Sequence, residues 1–232
     1  VRIKRYLIAL CGVLLATLAG VVPASADAPK PGAPQPIIGG GFASEGPWAV
    51  AIMVNGQQNC SGTIIAPRYV LTARHCANAG NTFLIGSTDR NAGQVRRPVR
   101  AIAHPSADII LYELDSPVTT TYAALTTTQP SVGSTEQVYG FGRTESARDS
   151  RYLKVASMRI TRVSSAYIDA TRINGYTGPG DSGGPVFQNG RLIGVHSYGD
   201  TSAGTSGHVN VFTYRQWILS NSGQLATTTA AA

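Results

Sequence analysis

Histidine, cysteine and acid are all scarce in this 232-residue chain, which holds 4 His, 3 Cys and 12 Asp plus Glu. Its ligating residues fall into no metal-binding spacing, so neither a metal site nor a cofactor is expected. There is no internal repeat and no heptad pattern, which excludes solenoids and coiled coils. The arginines are not interleaved with aromatics and form no recognised nucleic-acid motif, so a nucleic-acid partner is not expected either. Long apolar runs are also wanting, except for one near the start.

That run, residues 6–22, follows Arg2, Lys4 and Arg5 and precedes the small residues Ala24, Ser25 and Ala26. This is the pattern of an export signal over 1–26, and it predicts a secreted, extracellular protein with no membrane attachment once the signal is removed. Val1 in place of Met fits a bacterial GUG start. Cys11 goes with the signal, since the bulky Leu10 before it does not suit lipidation. Without the signal the formal charge falls from +7 to +4, because the segment carries three cations and no acid. Cys60 and Cys76 remain as an even pair in an exported chain and are expected to be bridged. Residues 27–36, "DAPKPGAPQP", hold four prolines and predict an exposed leader or propeptide.

The remainder of the chain is rich in short apolar stretches punctuated by Gly, Pro and Asn, among them "WAVAIMV", "SGTIIA", "DIILYEL", "EQVYGFG" and "RLIGVHS". Many short strands predict an all-β sandwich or barrel, not alternating β-α-β units. The Thr-, Ser- and Pro-rich stretch 116–135 is the best internal boundary. A helix is expected near the end, with Thr213 as its cap, Gln216 completing a capping box and "YRQWIL" as its body. The tail over 223–232 has no reason to be ordered. Arg143, Arg148, Arg151, Lys154, Arg159 and Arg162 crowd one stretch, which reads as a solvated charged face or as a site for an acidic partner.

Ser182 stands in "YTGPGDSGGPV", between an acid and two glycines. A serine hydroxyl becomes a nucleophile when a base lies within hydrogen-bond reach and a third group orients that base. Of the four histidines outside the signal, His75 ends an apolar strand beside Cys76, where a bridge would fix its geometry. Asp108 opens the apolar strand "DIILYEL", where a carboxylate needs hydrogen-bond donors such as an imidazole N–H. His104 precedes a proline and reads as structural or exposed.

"IIGG" (37–40), "CSGTIIAPRYVLTARHC", "DIILYEL", "VYGFG", "GDSGGPV" and "VHSYG" together resemble the chymotrypsin-like (trypsin-fold) serine endopeptidases, in the family's order of His, Asp and Ser. The resemblance implies two six-stranded antiparallel Greek-key β-barrels with a C-terminal α-helix, one over 37–122 carrying His75 and Asp108, the other over 123–222 carrying Ser182. It also implies a peptidase acting through an acyl-enzyme: Ser182 as nucleophile, His75 as general base and acid, Asp108 as orienter. The N–H groups of Gly180 and Ser182 would form the oxyanion hole, and Ser197, Tyr198 and Gly199 would pair with an extended substrate, Ser197 also supporting Asp108. Partners are then polypeptide substrates and, as for many peptidases, a proteinaceous inhibitor, with the enzyme a monomer. The competing reading is a catalytically silent homologue that binds an acidic partner; a third is an esterase.

Departures from the family's pattern are informative. Arg74 replaces a small residue before the histidine. Only 33 positions separate His75 from Asp108, so the shortened loops predict no calcium site. Activation in the family pairs a new amino terminus, here Ile37, with the acid before the serine, here Asp181. Yet Pro36 precedes Ile37, so either a proline-tolerant peptidase trims the leader or Asp181 finds another partner. Gly178 stands where the family has a bridged Cys. Tyr176 replaces the pocket-floor Asp of trypsins, which predicts no preference for Lys or Arg before the cut. His196, with Thr177, resembles the acid-binding pair of bacterial glutamyl endopeptidases; the alternatives are an acidic preference or an apolar or mixed pocket with His196 satisfied by a backbone carbonyl.

Overall fold

The computed structural model describes residues 37–224; the expected signal, the leader and positions 225–232 of the tail lie outside them. Two short strands come first, β1 (Ile38–Gly39) and β2 (Gly41–Phe42). Next are β3 (Ala49–Val54), β4 (Gln57–Ala66), β5 (Tyr69–Thr72), β6 (Asn81–Ile85), β7 (Gln94–Arg96), β8 (Pro98–Ala103) and β9 (Ile110–Leu114). The second half holds β10 (Thr135–Gly140), β11 (Lys154–Val163), β12 (Tyr167–Arg172), β13 (Gly175–Tyr176), β14 (Pro185–Gln188), β15 (Arg191–Asp200), β16 (Thr205–Asn210) and helix α1 (Val211–Asn221).

The all-β double-barrel expectation holds. One antiparallel sheet runs β7-β6-β3-β4-β5-β9-β8 and the other β10-β14-β15-β16-β12-β11-β2, with a further β10–β11 pairing that closes six strands of the latter into a barrel. In the first sheet a single residue, Arg97, separates β7 from β8, because Pro98 cannot continue the ladder. The two arms of this bent strand pair with β6 and β9 at opposite edges, so one strand spans an otherwise open half-barrel.

Each barrel fills by alternation. β6 buries Asn81, Phe83 and Ile85, and β11 buries Lys154, Ala156, Met158 and Ile160 on one side. The N-terminal segment departs from the expected boundary at residue 37. Residues 38–42 pair with β13 and β11 of the second half, so the first half begins in earnest at Ala49. Lys154, buried opposite Phe42, lays its ammonium 3.4 Å over that ring and helps pin the segment there.

Two local expectations are corrected. The helix starts earlier than predicted, because Asn210, a stronger cap than Thr213, accepts a hydrogen bond from the Phe212 N–H at 3.2 Å. Its apolar face buries Val211, Ile218 and Leu219. Strand β12 has no counterpart in the expected strands, since only Ile168 and Ala170 face inward while Asp169 pairs outward with Arg162.

Candidate active site

The turn that carries His75 is set by its neighbours on both sides. Strand β5 ends at Thr72, a 3-10 turn spans Arg74–Cys76, and Cys76 is bridged to Cys60 on β4. The sulfurs lie near His75, but both are spent in the bridge. Asp108, just before β9, meets the turn twice: Oδ1 accepts the His75 backbone N–H at 2.9 Å, and Oδ2 lies 2.8 Å from His75 Nδ1. Ser197 Oγ donates to the same Oδ2 at 2.6 Å. The costly carboxylate at the mouth of an apolar strand is thus fully occupied.

These contacts set the ionisation. The hydrogen bond that His75 donates to Asp108, joined by the carboxylate's charge, raises the His75 pKa above 6.5 against the opposing effect of burial. Burial pushes Asp108 up, but hydrogen bonds from His75 and Ser197 outweigh it and hold the carboxyl below its ordinary value. The pair therefore fixes the imidazole with Nδ1–H toward Asp108 and leaves Nε2 as the basic nitrogen. Arg74 turns away from it: its guanidinium donates to the carbonyls of His104 and Pro105 at 3.1 and 3.2 Å.

Ser182 sits on a turn knitted to two strands, β4 and β15. Its carbonyl accepts the Ser61 N–H at 2.8 Å, the Gly183 N–H donates to His196, and the His196 N–H returns to Gly184. The Gly180 carbonyl is held by Gln58 Nε2 at 2.9 Å and Ser61 Oγ at 3.0 Å. With that peptide oriented, the N–H groups of Gly180 and Ser182 have no acceptor among the described residues, as an oxyanion hole requires. Gly180 takes φ +94°, and a Cβ there would lie 2.6 Å from Gln58 Oε1. Gln58 and Ser61 carry no sequence signal beyond their place before and within the histidine motif.

A cavity of about 330 Å³ adjoins Ser182, lined by Thr177, His196, Tyr198, Gly199 and Thr201 among others. Tyr176 is not in it; it lines the neighbouring hollow with Ile38 and Glu145 and pairs across β1. His196 is buried against His208, their Nδ1 atoms 3.3 Å apart, and its ring meets no backbone carbonyl among the described residues. Thr177 Oγ1 lies 2.7 Å from Ser206 Oγ. His208 and Ser206, on β16, were not singled out by the sequence.

Ile37 is fully buried, and in the uncut chain its nitrogen is an amide bonded to Pro36, so no ion pair with Asp181 exists there. Asp181 is itself buried and accepts the N–H groups of Gly142 and Gly178 at 2.9 and 2.8 Å. Burial drives its pKa up to about 7 despite those two bonds.

An imidazole bound to a half-buried carboxylate, a serine on a glycine turn and two N–H groups without an acceptor among the described residues, shared between two antiparallel barrels, define a chymotrypsin-like serine protease. The chain belongs to the trypsin family, whose sequence pattern matches residues 37–218. It is 30% identical over 184 residues to an uncharacterized peptidase of Corynebacterium glutamicum, a match covering 73% of this chain and 66% of that protein. Trypsin alpha-4 of Lucilia cuprina is 31% identical over 208 residues, covering 75% of this chain and 82% of that one. The structure of neuropsin, a serine protease expressed in mouse brain, superposes with a TM-score of 0.70 at 23% identity, over 75% of this chain and 94% of the other.

Proposed function

We propose that this protein is a secreted serine endopeptidase that cleaves after acidic residues. The carrying observation for catalysis is the Asp108 carboxylate holding both His75 and Ser197 while the N–H groups of Gly180 and Ser182 have no acceptor among the described residues. In this reading His75 Nε2 takes the Ser182 proton as Oγ adds to the substrate carbonyl, and the oxyanion meets Gly180 and Ser182. His75 then passes the proton to the leaving amine, and water repeats the sequence to free the acid.

Support for the acidic preference comes from the pocket. No carboxylate lines it to attract Lys or Arg, whereas a threonine hydroxyl and an imidazole do line it. The silent-homologue reading loses support because the arginine stretch is partly spent: Arg151 pairs with Asp89 and Arg162 with Asp169, both at 2.6 Å, and Lys154 is buried.

A fluorophosphonate probe tests the enzyme: labelling that vanishes in Ser182→Ala supports it, and no labelling of processed protein rejects it. Peptides differing only in the residue before the cut test the pocket. A preference for Glu over Phe and Leu, lost in His196→Ala, is the expected result; equal cleavage in both proteins rejects it.

A further inference from the structure

Ser61, on β4, has all three of its polar groups engaged around the catalytic turn. Its N–H donates to the Ser182 carbonyl at 2.8 Å, and its own carbonyl accepts from Thr72 Oγ1 at 2.8 Å. Its hydroxyl serves twice: Oγ accepts the Phe141 N–H and donates to the Gly180 carbonyl, both at 3.0 Å. The residue is only 1% exposed, so water competes little for these bonds.

Phe141 is the first of three successive residues after β10 whose N–H groups bond Ser61 or the turn itself. Phe141 donates to Ser61 Oγ, Gly142 to Asp181 Oδ1 at 2.9 Å, and Arg143 to the Pro179 carbonyl at 2.8 Å. In a planar trans peptide the N–H points opposite to the C=O, so fixing the Pro179 carbonyl aims the Gly180 N–H. The next peptide, Gly180–Asp181, is fixed at its carbonyl by Ser61 Oγ and by Gln58 Nε2 at 2.9 Å. Gly180 joins the two planes at φ +94°, with no side chain of its own to restrain either. Without the Ser61 hydroxyl, Gln58 alone holds the second plane, and the added freedom passes to the N–H that must meet the oxyanion.

We propose that Ser61, with Gln58 as the second donor, is a positioning residue for the oxyanion hole. Buried as it is, it does not touch substrate; its hydroxyl ties the Gly180 peptide to the segment after β10. The inference rests on the peptidase reading above and is independent of which side chain the pocket prefers. Preorganised donors stabilise a developing negative charge because they need no rearrangement in the transition state. A loosened Gly180 N–H therefore weakens binding of the transition state and leaves binding of the ground-state peptide as it was. Neither His75 nor Asp108 bonds Ser61 among the described residues, so the basicity of the imidazole is set separately.

Ser61→Ala and Gln58→Leu are compared with the wild type on one well-cleaved peptide, on the aldehyde of its acyl half and on the corresponding alcohol. Ser182 Oγ adds to the aldehyde carbon as the C=O opens to an oxyanion, whereas the alcohol cannot form that adduct. Each variant is expected to lower kcat about tenfold, the weight of one lost hydrogen bond, with KM unchanged. The aldehyde should bind about tenfold more weakly and the alcohol equally well. The pH at which kcat/KM falls on the acid side should not move. Unchanged aldehyde affinity in a folded variant overturns the proposal, as does equal weakening of aldehyde and alcohol, the mark of a generally loosened site. Gln58 is only half-buried, so its variant decides the matter even if Ser61→Ala does not fold. A wild-type protein that neither cleaves peptides nor takes the fluorophosphonate removes this proposal together with the peptidase reading.

Discussion

Ser197 donates its hydroxyl to Asp108 Oδ2 at 2.6 Å, reaching from the second barrel to the acid of the first. The same oxygen binds His75 Nδ1 at 2.8 Å, so a residue of the substrate-facing strand helps set the basicity of the imidazole. Removing the hydroxyl in Ser197→Ala should lower kcat roughly ten- to a hundredfold, the range for losing a hydrogen bond to a charged group. It should also move the Asp108 pKa upward, since Ser197 is one of the donors that depress it. A depressed carboxyl stabilises the fold above its unfolded pKa and loses that contribution as pH falls. Ser197→Ala should accordingly begin to unfold at a higher pH on acidification, read by circular dichroism.

Asp108→Asn should cost about 10⁴ in kcat, as expected when the orienter can no longer hold the reactive tautomer. The pH profile separates this from misfolding. His75 is raised above 6.5 first by its hydrogen bond to Asp108, so activity in the wild type should fall as pH drops through a value above 6.5. In the variant the residual activity should persist to lower pH.

Gly180→Ala places a Cβ 2.6 Å from Gln58 Oε1 and 2.9 Å from the Gly142 Cα, at a φ of +94° that side chains resist. The peptide must rotate, carrying an oxyanion donor with it. A fall of roughly 10²–10³ in kcat is expected, with KM little changed. Steady-state kinetics on a single peptide decides it.

In the uncut chain burial pushes the Asp181 pKa up to about 7 against two N–H donors, with no cation beside it among the described residues. A carboxyl raised in this way favours the folded state below its unfolded pKa, and that advantage is lost as pH rises to about 7. The melting temperature of uncut protein should therefore decline from pH 4 to pH 7, and Asp181→Asn should flatten the decline. Cleavage after Pro36 supplies an amine and should abolish it. The same loss in Asp181→Asn as in the parent would set this account aside.

Replacing both Cys60 and Cys76 with alanine opens a loop between residues 16 apart and should cost about 3 kcal/mol in urea unfolding. Activity should fall as well, since the bridge ends the turn that carries His75.

The triad was legible because its residues lie in motifs whose chemistry is local: a serine between glycines, a histidine after a strand, an acid before one. The strands with clear alternation were legible for the same reason. Gln58 and Ser61 were not, since each sits in an ordinary-looking strand and their meeting with Gly180 depends on how the two barrels press together. Tyr176 was misplaced by counting back from Ser182, which cannot reveal that β13 pairs with β1 and takes the ring away from the cavity. The helix cap went astray because Asn210 also ends a strand, so its side chain read as part of that strand.

The division of the catalytic apparatus between barrels has a temporal meaning. His75 and Asp108 come from residues before 115, while Ser182 and Ser197 come from residues after 135. The Asp108–Ser197 bond and the Ser61–Ser182 bond form only when the two halves are pressed together. A chain only partly folded holds every ingredient of a protease and none of its chemistry, and it cannot attack its own unfolded kin until the last barrel has closed.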